Sequence, residues 1–176
     1  DWLLYTTLDN VGVDLNVGAA SGFSFITGIE NAISGGGNDT LSGSAIANTL
    51  DGGDGDDTIT GLAGNDSLRG GAGADTITGG IGADAINSGA GNDTIIYLFG
   101  DGADVINGGA DTDTLNITGS AADNLLRATW NGSALTNVLD ASLTSVETIN
   151  SDMAGGTDWI LYTASTGVNV DLSAGT

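Results

Sequence analysis

The chain has 176 residues, which suggests one domain or one unit of a longer protein. It contains 31 Gly and 23 acidic residues, two basic residues, and no His, Cys or Pro, so its formal net charge is -21. The scarcity of cations argues against a surface for nucleic acid or an anionic membrane. The absence of His and Cys excludes the usual zinc, haem and iron-sulfur ligands, together with triad hydrolysis and thiol chemistry.

The charge and the hydrophobicity of the chain point in opposite directions. A large net charge is typical of disordered chains, yet 40% of the residues are hydrophobic. A bound cation would reconcile the two properties. The sequence has no apolar run of about 18 residues, so no membrane insertion is predicted.

The first predicted element is a β-rich joining segment at residues 1–34. Within it, residues 11–17 have a large apolar side chain at every second position, which is typical of a strand. Its opening hexapeptide, DWLLYT at residues 1–6, recurs as DWILYT at residues 158–163, and VDL at residues 13–15 recurs at residues 170–172. Both pairs are offset by 157 residues. The offset predicts that residues 158–176 start the next 157-residue repeat of a tandem array.

Residues 35–116 contain a shorter period of nine residues. The pattern is Gly-Gly-x-Gly-x-Asp-x-U-x, where U is Ile or Leu, and residues 52–60, 70–78 and 79–87 follow it without exception. Residues 61–69 carry Leu62 for the second Gly, and residues 88–96 carry Ser88 for the first. Weaker copies continue the register upstream and downstream.

The spacing departs from nine residues once, between Asp93 and Asp104, where it grows to eleven. Tyr97 lies at this irregularity, and we expect a longer strand there.

These nonapeptides resemble the RTX family, the haemolysin-type calcium-binding repeats of secreted bacterial proteins. The resemblance covers residues 35–116, and the flanks resemble segments that join such blocks in large repetitive proteins. It implies an all-β fold, a parallel β-roll (β-solenoid) with β-rich flanking segments. It also implies an extracellular or cell-surface location reached by type I secretion.

The residues themselves also favour calcium. Nine residues suit a turn followed by a short strand with one inward apolar side chain, so two nonapeptides make one coil. Turns on the same side then stack about 4.8 Å apart, which places Asp57 over Asp75. Two unit charges at that distance repel by roughly 3.5 kcal/mol at an effective dielectric near 20. A cation bound by carboxylate and glycine carbonyl oxygens would relieve the repulsion, and this oxygen set favours Ca²⁺ over Mg²⁺.

Neighbours on the same side give seven candidate calcium sites, of which we expect about five to be well formed. The pairs are Asp39/Asp57, Asp57/Asp75, Asp75/Asp93, Asp93/Asp113, Asn48/Asp66, Asp66/Asp84 and Asp84/Asp104. Asn48 lacks a charge, and the pairs that end at Asp104 and Asp113 span the insertion. The candidate glycine ligands are Gly52, Gly53, Gly55, Gly61, Gly64, Gly70, Gly71, Gly73, Gly79, Gly80, Gly82, Gly89 and Gly91.

Other interpretations of the acidic and aromatic residues are weaker. An EF-hand starting at Asp54 would need a Gly at the sixth loop position and a Glu at the twelfth, and both are missing. Asp56 and Asp57 resemble a glycosidase pair only superficially, because the period already explains them. Trp2, Trp130 and Trp159 are predicted to make core or inter-repeat contacts rather than sugar platforms.

Residues 117–157 form a second β-rich joining segment, in which Asn131-Gly132 predicts a hairpin turn. We predict a calcium-binding structural repeat, without enzymatic activity, of a secreted fibre, matrix protein or adhesin. It would fold on binding Ca²⁺ outside the cell, and neighbouring repeats would be its partners, including head-to-tail self-association. The alternatives are an adhesive module that contacts sugar, ice or another chain, and an accessory module of a secreted hydrolase or epimerase.

Overall fold

The computed structural model describes residues 1–6, 8–23, 26–98 and 100–118, and beyond them the backbone of residues 125–130, 135–138, 141–144, 148–152 and 159–163. In these residues all regular elements are strands, and no helix long and apolar enough to cross a membrane occurs. The strands are β1 (Trp2–Leu4), β2 (Gly12–Asp14), β3 (Ala19–Ala20), β4 (Asn31–Ile33), β5 (Thr40–Ser44), β6 (Thr49–Asp54), β7 (Thr58–Ala63), β8 (Ser67–Ala72), β9 (Thr76–Ile81), β10 (Ala85–Ala90), β11 (Thr94–Leu98), β12 (Val105–Ala110), β13 (Thr114–Thr118), β14 (Leu125–Trp130), β15 (Leu135–Val138), β16 (Ala141–Thr144), β17 (Thr148–Asp152) and β18 (Trp159–Thr163).

The strands form a parallel β-solenoid, as the resemblance implied. From β4 to β13, consecutive strands alternate between two sheets, so each coil contributes one strand to each sheet. The 10-stranded sheet has the order β1-β4-β6-β8-β10-β12-β16-β15-β14-β18, and the 8-stranded sheet has the order β17-β13-β11-β9-β7-β5-β2-β3. A nonapeptide is thus one strand and one turn, and the two sides of the roll carry alternate turns.

The core consists of two facing ladders of aliphatic side chains, one from each sheet. Leu50 pairs with Leu68, and Leu68 pairs with Ile86, in direct register across the first sheet. None of the ladder residues is more than 3% exposed. The ladders are Ala32, Leu50, Leu68, Ile86 and Ile106 in one sheet and Leu41, Ile59, Ile77, Ile95 and Leu115 in the other. Burying one such side chain contributes about 1.5–3 kcal/mol, so the single apolar residue of each nonapeptide is enough to define the inside.

The longer strand expected at the insertion stays a prediction, because residue 99, directly after β11, lies outside the described part. Strand β11 has five residues, whereas β9 has six, and the extra residues come after β11. Tyr97 stays in register opposite Ile117, and its hydroxyl donates to the Gly102 carbonyl oxygen at 2.8 Å. The Leu98 N–H donates to Asp101 Oδ2 at 2.9 Å. These bonds fasten the enlarged turn, and the next coil pairs without a shift.

Both flanks are β-rich, as predicted, and the parallel ladders continue into them. Strand β4 pairs with β1 and β6, while β12 pairs with β16 and β13 pairs with β17. The predicted hairpin is present as the antiparallel pair β14 and β15, although residues 131–134 of its turn lie outside the described part. The sheets therefore run past residues 34 and 116, and the domain boundaries proposed there remain predictions.

Candidate functional site

The aspartates of the nonapeptide register form two buried stacks, one on each side of the roll. None of them is more than 2% exposed. One stack contains Asp39, Asp57, Asp75, Asp93 and Asp113, and the other contains Asn48, Asp66, Asp84 and Asp104. The structure thus brings together all seven predicted pairs of neighbours.

Each stack is held together by one repeated hydrogen bond. The Asp57 N–H donates to Oδ1 of Asp75 at 2.8 Å, and the Asp75 N–H donates to Oδ1 of Asp93 at 2.9 Å. The same bond crosses the insertion, from Asp84 N–H to Asp104 Oδ1 at 2.9 Å. One carboxylate oxygen of each pair is therefore occupied by the backbone of the preceding coil.

The second carboxylate oxygen has a different environment. Oδ2 is buried without a hydrogen-bond partner in Asp39, Asp57, Asp66, Asp75 and Asp84. A buried charged oxygen that lacks a partner is strongly destabilising. These oxygens occur in both stacks, and a positive ligand beside them would remove the penalty. Among the described residues, no side chain donates to them.

The first glycine of the nonapeptide makes room for this oxygen. A Cβ atom at Gly52 would overlap Asp57 Oδ2 and would lie 2.8 Å from the Gly70 carbonyl oxygen of the next coil. The same two kinds of oxygen surround Gly61 and Gly70, and Asp84 Oδ2 lies over Gly79. A carboxylate oxygen and a carbonyl oxygen from successive coils therefore converge on the space that a side chain would fill.

The other glycines shape the turns. Those at the second and fourth positions have positive φ, and a Cβ atom at any of them would collide with the backbone of the preceding coil. They are Gly53, Gly71, Gly80 and Gly89 at the second position and Gly55, Gly64, Gly73, Gly82 and Gly91 at the fourth. The turns can stack closely only because these positions lack side chains.

Burial perturbs the carboxylates of the stacks. It raises the pKa of Asp57 to about 7, and the charges of Asp75 and Asp39 add to the effect. Burial also raises the pKa of Asp66, Asp75 and Asp104 to about 6, although the backbone hydrogen bond that each carboxylate accepts lowers the pKa. Ionisation at neutral pH is therefore costly for the metal-free roll.

The oxygen set fits a hard divalent cation. In the part of the chain that the structure describes, no three acidic side chains are placed to hold one metal ion. At the described stacks, a cation would draw on carbonyl oxygens as well as carboxylates. Gly52 and Gly70 provide the space and the carbonyl oxygen for this at the Asp57 position. Six to eight oxygens of mixed origin are the preference of Ca²⁺, so the residues fit the ion.

The sequence did not reveal three features of the stacks. Ser34 and Ser88 stand at the first-glycine position, and their hydroxyls donate to Gly52 O at 2.7 Å and to Gly108 O at 2.6 Å. Asp101, in the enlarged turn, is buried. Burial raises the pKa of Asp84 and Asp104, and the charge of Asp101 adds to the effect. The visible signals were the missing glycines and an extra Asp within the insertion.

The third feature is the first position of each stack, where the two sides differ. One stack begins with the neutral Asn48, which donates through Nδ2 to Glu30 O at 2.7 Å. The other begins with the carboxylate of Asp39, whose Oδ1 accepts the Val11 N–H at 2.7 Å.

The structure also bears on the glycosidase interpretation of Asp56 and Asp57 and on the predicted role of the tryptophans. Asp56 is exposed and its Oδ1 accepts the Ala74 N–H at 2.8 Å, whereas Asp57 is buried, so the two carboxylates do not share an open cleft. Trp2 is 57% exposed and is not a core residue, so of its two predicted roles the inter-repeat contact stays a prediction. The side chains of Trp130 and Trp159 lie outside the described residues.

Comparison with known proteins identifies the nonapeptides. The family model for the RTX calcium-binding nonapeptide repeat (4 copies) matches residues 33–68, 60–95 and 100–116. No curated protein matches the chain. The matched residues are the coils that carry the buried aspartates.

Proposed function

Because residues 33–95 and 100–116 match the family model for the RTX calcium-binding nonapeptide repeat, we propose that the chain is a calcium-locked structural unit of a tandem array in a secreted fibre, matrix protein or adhesin. The observation that carries the proposal is the buried Oδ2 without a hydrogen-bond partner in Asp39, Asp57, Asp66, Asp75 and Asp84, which lie in both stacks. Such a unit would fold only when it binds calcium outside the cell.

The proposed ligands are the carboxylates of the two stacks and the carbonyl oxygens of the glycine turns. The ion supplies positive charge between successive coils. Asp57, Asp66, Asp75 and Asp84 are the central ligands, because each has a same-side Asp in the next coil and a glycine beneath Oδ2. Ser34 and Ser88 have a side chain where the other motifs have a glycine, and their hydroxyls donate to carbonyl oxygens of the neighbouring coil, so we expect weaker sites beside them.

The free energy of calcium binding is large enough to make folding depend on the Ca²⁺ concentration. A site with a dissociation constant near 0.1 mM, in about 10 mM Ca²⁺, stabilises the folded state by roughly 2.7 kcal/mol. Each site thus offsets most of the repulsion of roughly 3.5 kcal/mol at its own step of a stack, and the gain recurs at every site.

The tandem role is supported by the sequence repeat. The recurrence of DWLLYT after 157 residues favours an array over a single accessory block. A solenoid that stacks coils end to end adds length with every repeat, as a spacer or a fibre requires.

The calcium-dependent folding is tested by far-UV circular dichroism of the 176-residue chain. We expect the β spectrum to be lost in EDTA and restored by excess Ca²⁺, with an equal concentration of Mg²⁺ as the control. A β spectrum that persists unchanged in EDTA would contradict the proposal.

The spacer role is tested with a two-copy chain, in which residues 1–157 precede the whole 176-residue sequence. Small-angle X-ray scattering in Ca²⁺ should give a markedly longer maximum dimension for this chain than for the single unit. Two copies folded back on each other would rule out a spacer.

A further inference from the structure

Strand β1 leaves one of its edges open. Among the residues that the structure describes, β4 is the strand that pairs with β1, and β1 ends the 10-stranded sheet. The Tyr5 N–H donates to Ile33 O at 2.8 Å, and the Asn31 N–H donates to Asp1 O at 3.1 Å. Since successive residues of a strand direct their backbone groups to opposite edges, those of Trp2 and Leu4 point away from β4.

The chain contains a second copy of this strand at the opposite end of the same sheet. Strand β18 belongs to the recurring hexapeptide, in which Trp159 corresponds to Trp2 and Tyr162 to Tyr5. It pairs in parallel with β14, with Leu125 opposite Trp159. The same strand sequence thus stands at both ends of one sheet, next to β4 in one case and next to β14 in the other.

The direction of the strands allows the solenoid to continue at this point. Strand β16 runs parallel to β12, β15 reverses, and β14 reverses again. The two reversals restore the original direction, and β18 follows β14 in parallel. Strand β18 therefore runs the same way as β12 and the other solenoid strands, as β1 does.

We propose that the open edge of β1 binds strand β14 of a second copy of this repeat, the preceding one, in the register that β14 and β18 adopt. Leu125 of that copy then lies opposite Trp2, and Ala128 lies opposite Tyr5. The proposal rests on the tandem array proposed above. It makes the 10-stranded sheet continuous through the junction, with β1 held by its own β4 on one edge and by the preceding β14 on the other.

The two-copy chain described above provides the test, because the sequence has no Cys. Leu125→Cys in the first copy is combined with Trp2→Cys in the second, where neighbouring strands bring the Cα atoms about 5 Å apart, within reach of a disulfide. The matched control combines Leu125→Cys with Leu4→Cys, two residues out of register and about 8 Å away.

In Ca²⁺ we expect the disulfide of the Trp2→Cys chain to form at least tenfold faster than that of the Leu4→Cys chain, as measured by mass spectrometry. Equal rates, faster reaction of the control, or no disulfide in either chain would overturn the proposed junction. The β spectrum of each chain, recorded with and without Ca²⁺, tests the proposed function separately. A chain that folds with Ca²⁺ but fails to cross-link in register contradicts the junction alone.

Discussion

The backbone N–H of Asp57 donates a hydrogen bond to Oδ1 of Asp75, one coil further along the roll, at 2.8 Å. This bond fixes the orientation of the Asp75 carboxylate and turns its other oxygen, Oδ2, into the space over Gly70. The bond is independent of metal and sets the register of the stack. The unpartnered oxygen opposes folding until a cation is present.

This relationship predicts opposite effects of Asp75→Asn on stability and on calcium binding. The amide keeps an oxygen for the Asp57 N–H but removes a buried charge whose pKa is raised by burial. In EDTA at pH 7.5, where the wild type is expected to lose its β spectrum, the substitution should shift the folding equilibrium toward the folded state by roughly 1–3 kcal/mol, so that the variant retains more of that spectrum. In Ca²⁺ it should bind fewer ions, as measured by isothermal titration calorimetry.

Asp54→Asn is the matched control, because Asp54 lies in the same block but is exposed. We expect both its stability in EDTA and its calcium stoichiometry to remain close to the wild-type values. Identical behaviour of the Asp54 and Asp75 variants would contradict the assignment of the stacks.

The raised pKa values predict an unusual pH dependence for the metal-free chain. Burial raises the pKa of Asp57 to about 7 and that of Asp66 to about 6, from about 3.9 in an unfolded chain. Between these limits the folded state binds more protons than the unfolded state, so the free energy of unfolding falls as pH rises from about 4 to about 7.

Thermal unfolding in EDTA at a series of pH values should therefore show the highest midpoint at the acidic end. Protons compete with the cation for the same carboxylates, so in limiting Ca²⁺ the apparent calcium affinity should rise over the same pH range. A metal-free midpoint that rises toward neutral pH would contradict the burial of ionised carboxylates in the stacks.

The family resemblance predicted the roll, and the nine-residue period predicted its core and the aspartate pairs for a simple reason. A parallel solenoid places every nonapeptide in the same environment, so one pattern determines strand, turn and core at once. Ile59 and Ile77 lie directly opposite each other, as the register requires. Local periodicity and tertiary contacts carry the same information in this part of the chain.

The features that the period did not predict are those where one coil differs from its neighbours. The position of the insertion depends on hydrogen bonds within the turn, such as that from Leu98 N–H to Asp101 Oδ2. The partners of Ser88 and Asn48 depend on which carbonyl oxygen the neighbouring coil offers. The pairing of β14 with β18 joins two strands that have β15, β16 and β17 between them in the chain, and no local sequence pattern shows it.

Leu62 provides a prediction that concerns the backbone of the roll and not its metal sites. It stands at the second-glycine position with a φ of 81°, in the left-handed region that costs a residue with a Cβ atom about 1–2 kcal/mol. Its side chain is 38% exposed, so its removal also loses part of the burial of a leucine. Leu62→Gly should therefore raise the free energy of unfolding by less than about 1 kcal/mol, since this loss and the flexibility of glycine in the unfolded chain offset much of the gain.

Urea unfolding measured by circular dichroism, in Ca²⁺ and again in EDTA at acidic pH, should show the same gain under both conditions. Leu62→Ala separates the two causes, because it shortens the side chain but keeps the Cβ atom that the backbone conformation disfavours. We expect the Ala variant to be no more stable than the wild type. A similar gain for Ala and Gly would mean that exposure of the leucine side chain, and not its φ, is what costs stability at this turn.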